Sequence, residues 1–459
     1  MKVMKFGGSC LQSRSGLERM IELIREQPRP LTIVLSALKG ITDHLLSLID
    51  AAVAEQPVDL TLIRARHAEV AETLAEEARA ATNTALEERF SELERVLGAI
   101  QALAEVPPTA RDRVLSMGER LSVILATAHL EQEGIPAEPR VASEAGILTT
   151  QEPGDARILD RSRAEVLARF DSTADLVYVV AGFVGTDSAG RITTLGRGGS
   201  DTTATFLASV LGGPALLWKD TPGILTGDPR VVAAPKVIES LHFLDALELA
   251  HYGLPAVAGK ALHPARRAGI GIEIHCFLDD TVPPTLIGDV PTSHLAISCV
   301  PEVAMIALVE AGPVASRLDT AGEEPAEPRP GQVLRALSHF LESLAQAEIA
   351  PLLLTEASPS GEASIVIRAS DREAVEHALA SQPLGLDTNI RNGLAAVSLI
   401  GSPMRGKVGF AAGVFACLAN EGINVYSIAQ TASERNISVL VDGSEAQRAV
   451  RALHTRFVE

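Results

Sequence analysis

Arg191-Ile192-Thr193-Thr194-Leu195-Gly196-Arg197-Gly198-Gly199-Ser200-Asp201-Thr202 passes from a β-prone run into a glycine turn and then into a helical pattern. Glycines at a strand-to-helix turn accept positive φ and let the backbone approach a ligand closely. The helix behind them offers unpaired N–H groups and a positive dipole end, which together suit an anion. Arg197 adds a planar fork able to hold a carboxylate or phosphate through two hydrogen bonds. A capped helix behind a flexible turn would read the same way, because Ser200 and Asp201 are good caps. The neighbouring stretches decide between the two.

Upstream, residues 3–6 read as a strand running into Gly7-Gly8-Ser9, with Lys5 beside the turn. An ammonium there can neutralise phosphate charge, or it is simply a solvated strand-edge lysine. Ser15 and Glu18 have capping-box spacing ahead of an amphipathic helix through Arg25. Residues 31–35 form a buried-type strand ending in Ser36-Ala37-Leu38-Lys39-Gly40-Ile41-Thr42. This β-α-β opening predicts a mostly parallel sheet with ligands at the carboxyl ends of its strands. Residues 60–104, rich in Ala, Glu and Leu, read as an inserted helical hairpin without a chemical motif. After Pro107-Pro108 a further helix carries Ser116-Met117-Gly118-Glu119-Arg120, where Glu119 either holds an ammonium group or is merely solvated. Residues 176–182 are a continuous apolar strand of the kind covered on both faces, and 183–195 a hairpin turning at 187–190. The next strand, 214–219, ends in Lys219-Asp220 and a turn-rich stretch through Leu225 to Arg230. Such a stretch suits a nucleotide pocket or an exposed loop. Lys260-Ala261-Leu262-His263-Pro264 opens another helix.

At 459 residues the chain predicts two or three domains. Hydrophobic residues make up 46% and aromatics only 3%, so the cores are built from Ala, Val, Leu and Ile. A net charge of −18 argues against a nucleic-acid partner. Any anion site must be created locally against that field. The four cysteines, Cys10, Cys276, Cys299 and Cys417, include no C-x-x-C pair, which fits reduced thiols better than disulfides or zinc. No apolar run reaches bilayer length and the first residues lack a signal core, so a cytoplasmic protein without a membrane partner is expected.

Taken in order, Lys5 to Ser9, Ser36 to Thr42, Ser116 to Glu119, Gly182-Phe183, Thr194 to Asp201, Asp220 to Arg230 and Lys260 to Pro264 resemble the motifs of aspartate kinases of the amino-acid kinase family. The resemblance implies an α/β fold, a mainly parallel eight-stranded sheet between helices, over residues 1–290, with a helical insertion at about 58–134. It implies transfer of the γ-phosphoryl group of ATP to the side-chain carboxylate of L-aspartate, with Mg²⁺ carried mainly by the nucleotide phosphates and no metal ligands of the protein's own. Lys5 and Asp201 would be catalytic, Lys5 on the transferring phosphate and Asp201 orienting it. Ser36, Thr42, Glu119, Phe183, Arg197 and Ser200 would bind aspartate. Lys5, Gly7, Gly8, Ser9, Lys219, Asp220, Leu225, Arg230 and Lys260 would bind ATP. Three departures stand out: Lys219 replaces a frequent threonine, Leu225 a frequent tyrosine, and Leu254 to Gly259 is an extra stretch ahead of Lys260.

Gly401 to Gly409, Asn424 and Asn436-Ile437-Ser438 resemble an ACT module, of ferredoxin-like α+β fold. The resemblance implies a first module at 303–392 inserted into a second made of 295–301 plus 393–459, with 296–300 as an edge strand. It also implies a homodimer through these modules and an amino-acid effector between them. The Pro- and Glu-rich stretch from Gly312 to Gly331 departs from the short glycine loop of the family, so inhibition by lysine or threonine is expected to be weak or absent. Two other readings stand beside an active aspartate kinase. One is a kinase for another acidic amino acid, such as glutamate or N-acetylglutamate. The other is an amino-acid sensor whose kinase half is inactive. No G-x-G-x-x-G segment for a fused homoserine dehydrogenase is present.

Overall fold

Short runs dense in Val, Ile and Leu become the strands of a central sheet in the computed structural model, which describes residues 1–254, 257–310, 332–357, 362–381 and 386–459. The chain divides into two units. The first comprises Met1–Ile224, Val237–Ala246 and Ala256–Pro291; the second comprises Leu225–Lys236, Leu247–Pro255 and Thr292–Glu459.

Strands of the first unit are β1 (Lys2–Phe6), β2 (Leu31–Leu35), β3 (Ala137–Arg140), β4 (Val177–Ala181), β5 (Val184–Thr186), β6 (Ile192–Thr194), β7 (Ala215–Lys219), β8 (Ser240–His242), β9 (Ile272–Cys276) and β10 (Thr285–Gly288). Eight of them form one sheet in the order β3-β4-β2-β1-β7-β9-β10-β8. Every neighbouring pair is parallel except β9 with β10. Every residue of β2 and β4 is buried, as expected where helices cover both faces. β5 and β6 form the separate hairpin, whose turn is closed by the Asp187 carboxylate accepting from the Ala189 and Arg191 N–H groups.

The helices Thr61–Ala71 and Glu76–Leu103 are the expected insertion. Leu86, Phe90, Leu93, Leu97 and Ile100 join one core with Leu45, Leu121 and Ile33. Burying each such side chain is worth about 1.5–3 kcal/mol. Three local expectations need correction. Ser13, not Ser15, caps the first helix, accepting from the Gly16 N–H while the helix runs Arg14–Arg25. The helix behind the glycine turn starts at Gly199, so Ser200 and Asp201 sit inside its first turn and make no cap. The helix expected across Ser116 to Arg120 is two helices, Pro108–Leu115 and Met117–Gln132, meeting at Ser116.

The second unit holds β11 (Ala296–Glu310), β12 (Leu353–Ala357), β13 (Glu362–Arg368), β14 (Leu386–Ile400), β15 (Ser427–Gln430) and β16 (Asn436–Asp442) in one antiparallel sheet. Its order is β12-β13-β11-β14-β16-β15. Among the described residues, 296–300 pair with β14 alone, as an edge strand. They continue through a bulge beyond Val300, with Glu302 at φ 52°, into 303–309, which lie between β13 and β14. Helices Phe410–Asn420 and Ala446–Phe457 bury Val414, Leu418 and Leu453 against Val397 and Val439. Phe340 and Val375 cover Ile306 and Ile365. The stretch from Gly312 to Gly331, on which the regulatory expectation rests, lies outside the described residues. Among the described residues no helix is long and apolar enough to cross a membrane.

Candidate active site

Parallel pairing places the carboxyl ends of β4, β2, β1 and β7 along one edge, and backbone hydrogen bonds stitch the loops there together. Gly7 N donates to Trp218 O at 3.2 Å, Ser36 N to Phe6 O at 3.3 Å, and Lys39 N to Gly8 O at 3.2 Å. Gly182 N donates to Leu35 O at 2.9 Å, and Leu195 N to Phe183 O at 2.9 Å. The start of Met117–Gln132 presses on the same loops: a Cβ on Gly118 would lie 2.5 Å from the Ala37 Cβ, so no larger residue fits. Gly7 to Ser9, Ser36 to Thr42, Gly118-Glu119, Gly182-Phe183 and the Gly196–Gly199 turn therefore share one edge. Gly196 and Gly198 both adopt positive φ, which is what the turn before the helix requires.

A buried charge cluster lies at its centre. Asp201, in the first turn of Gly199–Leu211, meets Lys5 Nζ at 2.9 Å and Lys219 Nζ at 2.8 Å. Burial works to raise the Asp201 carboxyl, but the Lys219 and Lys5 ammonium groups outweigh it and hold the acid well below the usual carboxylate range. One carboxylate thus holds two cations at the ends of adjacent parallel strands, leaving a net positive charge at the edge. Such a cluster can receive polyphosphate without moving.

Glu119 is the opposite case. It is buried, its Oε2 has no hydrogen-bond partner, and burial pushes its carboxyl up to about 8 against the Ala37 N–H, its own N–H and Lys5. An unpaired buried acceptor is costly unless a ligand completes it. Arg197 is exposed and makes no hydrogen bond or ion pair among the described residues. Ser200 is buried beside Gly182, where a Cβ would lie 2.7 Å from the Ser200 hydroxyl oxygen. Phe183 takes φ 67°, a left-handed conformation unusual for a bulky residue, and such strain gathers at ligand sites. Ser36 and Thr42 are half-buried at the end of β2 and the start of Ile41–Val53.

Other expected contacts land less directly. Asp220 lies 3.7 Å from the Lys39 ammonium, a partner the sequence did not single out. Lys260, at the start of Gly259–Ala268, is paired with Asp155, whose carboxylate also lies over Gly196. Leu225 and Arg230 belong to the second unit, where Arg230 is engaged by Asp228 at 2.7 Å. Sequence reasoning missed Asp155, Asp112 and Glu92, because each works through partners remote in the chain. Glu92, in the insertion read as carrying no chemistry, meets Arg120 at 2.9 Å, Arg113 at 2.8 Å and Arg89 at 3.0 Å. Burial opposes its charge, but Arg120 and Arg113 hold its carboxyl down to about 2. The insertion thereby grips the residue next to Glu119.

A glycine turn, a buried Lys–Asp–Lys cluster and an unpaired carboxylate on a parallel-sheet edge define a phosphotransferase of small carboxylates, and residues 1–277 match the amino acid kinase family. Residues 397–457 match the ACT domain. Aspartokinase 1 of Arabidopsis thaliana, a chloroplastic protein, is 30% identical over 100% of this chain and 80% of its own length. The lysine-sensitive aspartokinase 3 of Escherichia coli is 28% identical over 100% of this chain and 99% of its own. The solved E. coli aspartokinase III in complex with aspartate and ADP superposes with a TM-score of 0.84 at 26% identity, covering 100% of both chains. The chain belongs to the aspartokinases of the amino acid kinase family.

Proposed function

We propose that this chain transfers the γ-phosphoryl group of ATP to the side-chain carboxylate of L-aspartate, giving 4-phospho-L-aspartate and ADP. The observation that carries the reading is Glu119 Oε2, a buried acceptor without a partner on the edge that also holds Lys5, Asp201 and Lys219. An α-ammonium group completes Glu119, and the exposed fork of Arg197 takes a carboxylate. Ser36, Thr42, Phe183 and Ser200 line the remainder of that substrate site. The nucleophile is a carboxylate oxygen already ionised at neutral pH, so no general base is needed. It forms a bond to the γ-phosphorus while the β–γ bridging P–O bond breaks and ADP carries the electron pair away. Catalysis is then positioning and charge stabilisation.

Lys5 sits on the transferring phosphoryl group, the Gly8 and Ser9 amides follow the phosphates beside Gly7, whose own N–H is held by Trp218 O, and Lys219 adds a second cation. Asp201 keeps both ammonium groups in place. Asp220 and Lys260 complete the nucleotide contacts. Mg²⁺ enters as part of the nucleotide substrate. Among the described residues no group of three His, Cys, Asp or Glu side chains is placed to hold a metal, and Asp201 is already committed to two lysines. The second unit is regulatory in this reading and pairs with a second copy of the chain. Its edge strands β12 and β15 carry the exposed Leu354 and Ile428, and open edges invite pairing. E. coli aspartokinase III has been solved with lysine and aspartate, with a TM-score of 0.73, which supports an amino-acid effector here. Asn436, in the second ACT module, already donates to Glu248 at 2.6 Å and accepts from Thr431 N at 3.3 Å.

The test is ADP release measured by a coupled assay with L-aspartate, L-glutamate, N-acetyl-L-glutamate or no acceptor. Turnover should require L-aspartate; turnover preferring either glutamate compound would give the site to that acceptor instead.

A further inference from the structure

Asp112 is fully buried, yet it touches neither the edge of the sheet nor any cation: among the described residues it makes no ion pair. Its Oδ2 accepts from Thr194 N at 2.9 Å and from Gly154 N at 3.1 Å, and its Oδ1 accepts from the Thr194 hydroxyl at 2.8 Å. Each of the three bonds ends on a segment leading to the site. Asp112 itself lies on Pro108–Leu115, which passes through Ser116 into the helix bearing Glu119. Thr194 is the last residue of β6, immediately before Leu195-Gly196-Arg197. Gly154 precedes Asp155, which lies over Gly196 and pairs with Lys260. Thr194 O in turn accepts from Ala156 N at 2.9 Å, closing the 154–156 stretch onto the end of β6.

A buried carboxylate without a direct ion pair is a poor choice for stability alone, since burial disfavours its charge. Burial does push this carboxyl upward, with the Thr194 and Gly154 hydrogen bonds and the charge of Arg111 opposing it. What a carboxylate supplies, and an apolar residue would not, is acceptors for two backbone N–H groups and a hydroxyl at once. We propose that Asp112 is a positioning residue that fixes the separation between Glu119 and Arg197, and so sets the length of amino-dicarboxylate the site accepts. The inference rests on the assignment of Glu119 and Arg197 to the substrate given above. Its action is indirect, through the end of β6 and the 154–156 stretch.

The experiment compares the parent chain with Asp112→Ala, Asp112→Asn and Thr194→Val. Each is measured for KM and kcat with L-aspartate and L-glutamate, for ADP affinity by calorimetry, and for Tm. Misplacing a substrate clamp by about 1 Å costs up to about 10²-fold. Asp112→Ala should therefore raise the aspartate KM about tenfold or more and narrow the preference for aspartate over glutamate. ADP affinity should change by less than about threefold, since Lys5, Asp201 and Lys219 do not touch Asp112. Asp112→Asn keeps one oxygen for the two N–H groups and lets the Thr194 hydroxyl turn round to accept, so it should recover most of the loss. Thr194→Val removes only the hydroxyl bond and should fall between, which keeps the test decisive if the alanine variant does not fold. Lower Tm with unchanged aspartate KM and unchanged acceptor preference in Asp112→Asn and Thr194→Val would overturn the positioning role. Absence of aspartate-dependent turnover in the parent chain would overturn the assignment of the substrate site, and this inference with it.

Discussion

The most informative perturbation is pH, because the Glu119 carboxyl is pushed up to about 8 while the group proposed to meet it is a cation. At pH 7 the free protein carries Glu119 mostly protonated, and aspartate binds well only to the ionised form. The apparent dissociation constant is then the intrinsic one multiplied by 1 + 10^(pKa − pH), the cost of a sparsely populated competent state. With a pKa of about 8 that factor is about a hundred at pH 6, about eleven at pH 7 and about two at pH 8. Aspartate affinity should therefore rise about fiftyfold from pH 6 to pH 8 and level off above, with about 0.9 proton released per aspartate bound at pH 7. Calorimetry in buffers of different ionisation enthalpy, with a non-hydrolysable ATP analogue present, reads both quantities. Glu119→Gln should bind aspartate weakly and without this pH dependence. Stability gives an independent sign check. An acid whose folded pKa exceeds its unfolded value near 4.5 keeps more protons in the native state, so stability falls as pH rises from 4.5 towards 8. The Tm of Glu119→Gln should consequently exceed that of the parent at pH 8 and equal it near pH 4.5. Aspartate affinity that stays flat between pH 6 and pH 8, or a slope that survives Glu119→Gln, would refute the reasoning.

Lys5→Ala should lower kcat by about 10²–10³ while moving the aspartate KM far less, because a charge on the transferring group matters most in the transition state. Steady-state kinetics with both substrates varied reads this, and near-normal kcat would remove Lys5 from the phosphoryl path. Arg197→Lys keeps the charge but loses the two-pronged fork, so it should raise the aspartate KM and leave that of ATP within about twofold. An effect on ATP alone would mean the glycine turn serves the nucleotide. His67 is fully buried in the insertion with its imidazole pushed down to about 4 by burial. The unfolded chain takes up that proton near pH 6.5, so stability present above 6.5 is lost as pH falls towards 4. His67→Leu should flatten the fall in Tm over that window; an unchanged slope would place the acid sensitivity elsewhere.

The parallel sheet was readable because short apolar runs alternate with helical spacing, and residues 31–35 and 176–182 carry the all-buried pattern of strands covered on both faces. The glycine turn was readable because positive φ leaves a mark in the sequence. What the turn would do was less visible. Ser200 and Asp201 look like caps in isolation, and only pairing across β1 and β7 makes Asp201 the anion between two lysines. Lys219 looked like a substitution, yet it is half of that cluster. Asp112, Asp155 and Glu92 left no local trace, since their partners lie 82, 105 and 28 residues away at Thr194, Lys260 and Arg120. Residues 296–300 were readable as an edge strand, but their continuation into 303–309, between β13 and β14, is a property of the whole sheet. Ser15 in place of Ser13 is a boundary error of the sort local capping signals allow.

The central claim is that the side-chain carboxylate of L-aspartate is the atom group phosphorylated. The direct measurement is to run the reaction with ATP and L-aspartate in the presence of hydroxylamine and identify the trapped product by mass spectrometry against authentic standards. The account predicts the 4-hydroxamate of aspartate, formed in step with ADP and absent without enzyme or without L-aspartate. The 1-hydroxamate, or ADP released at the same rate with no acceptor present, would contradict it.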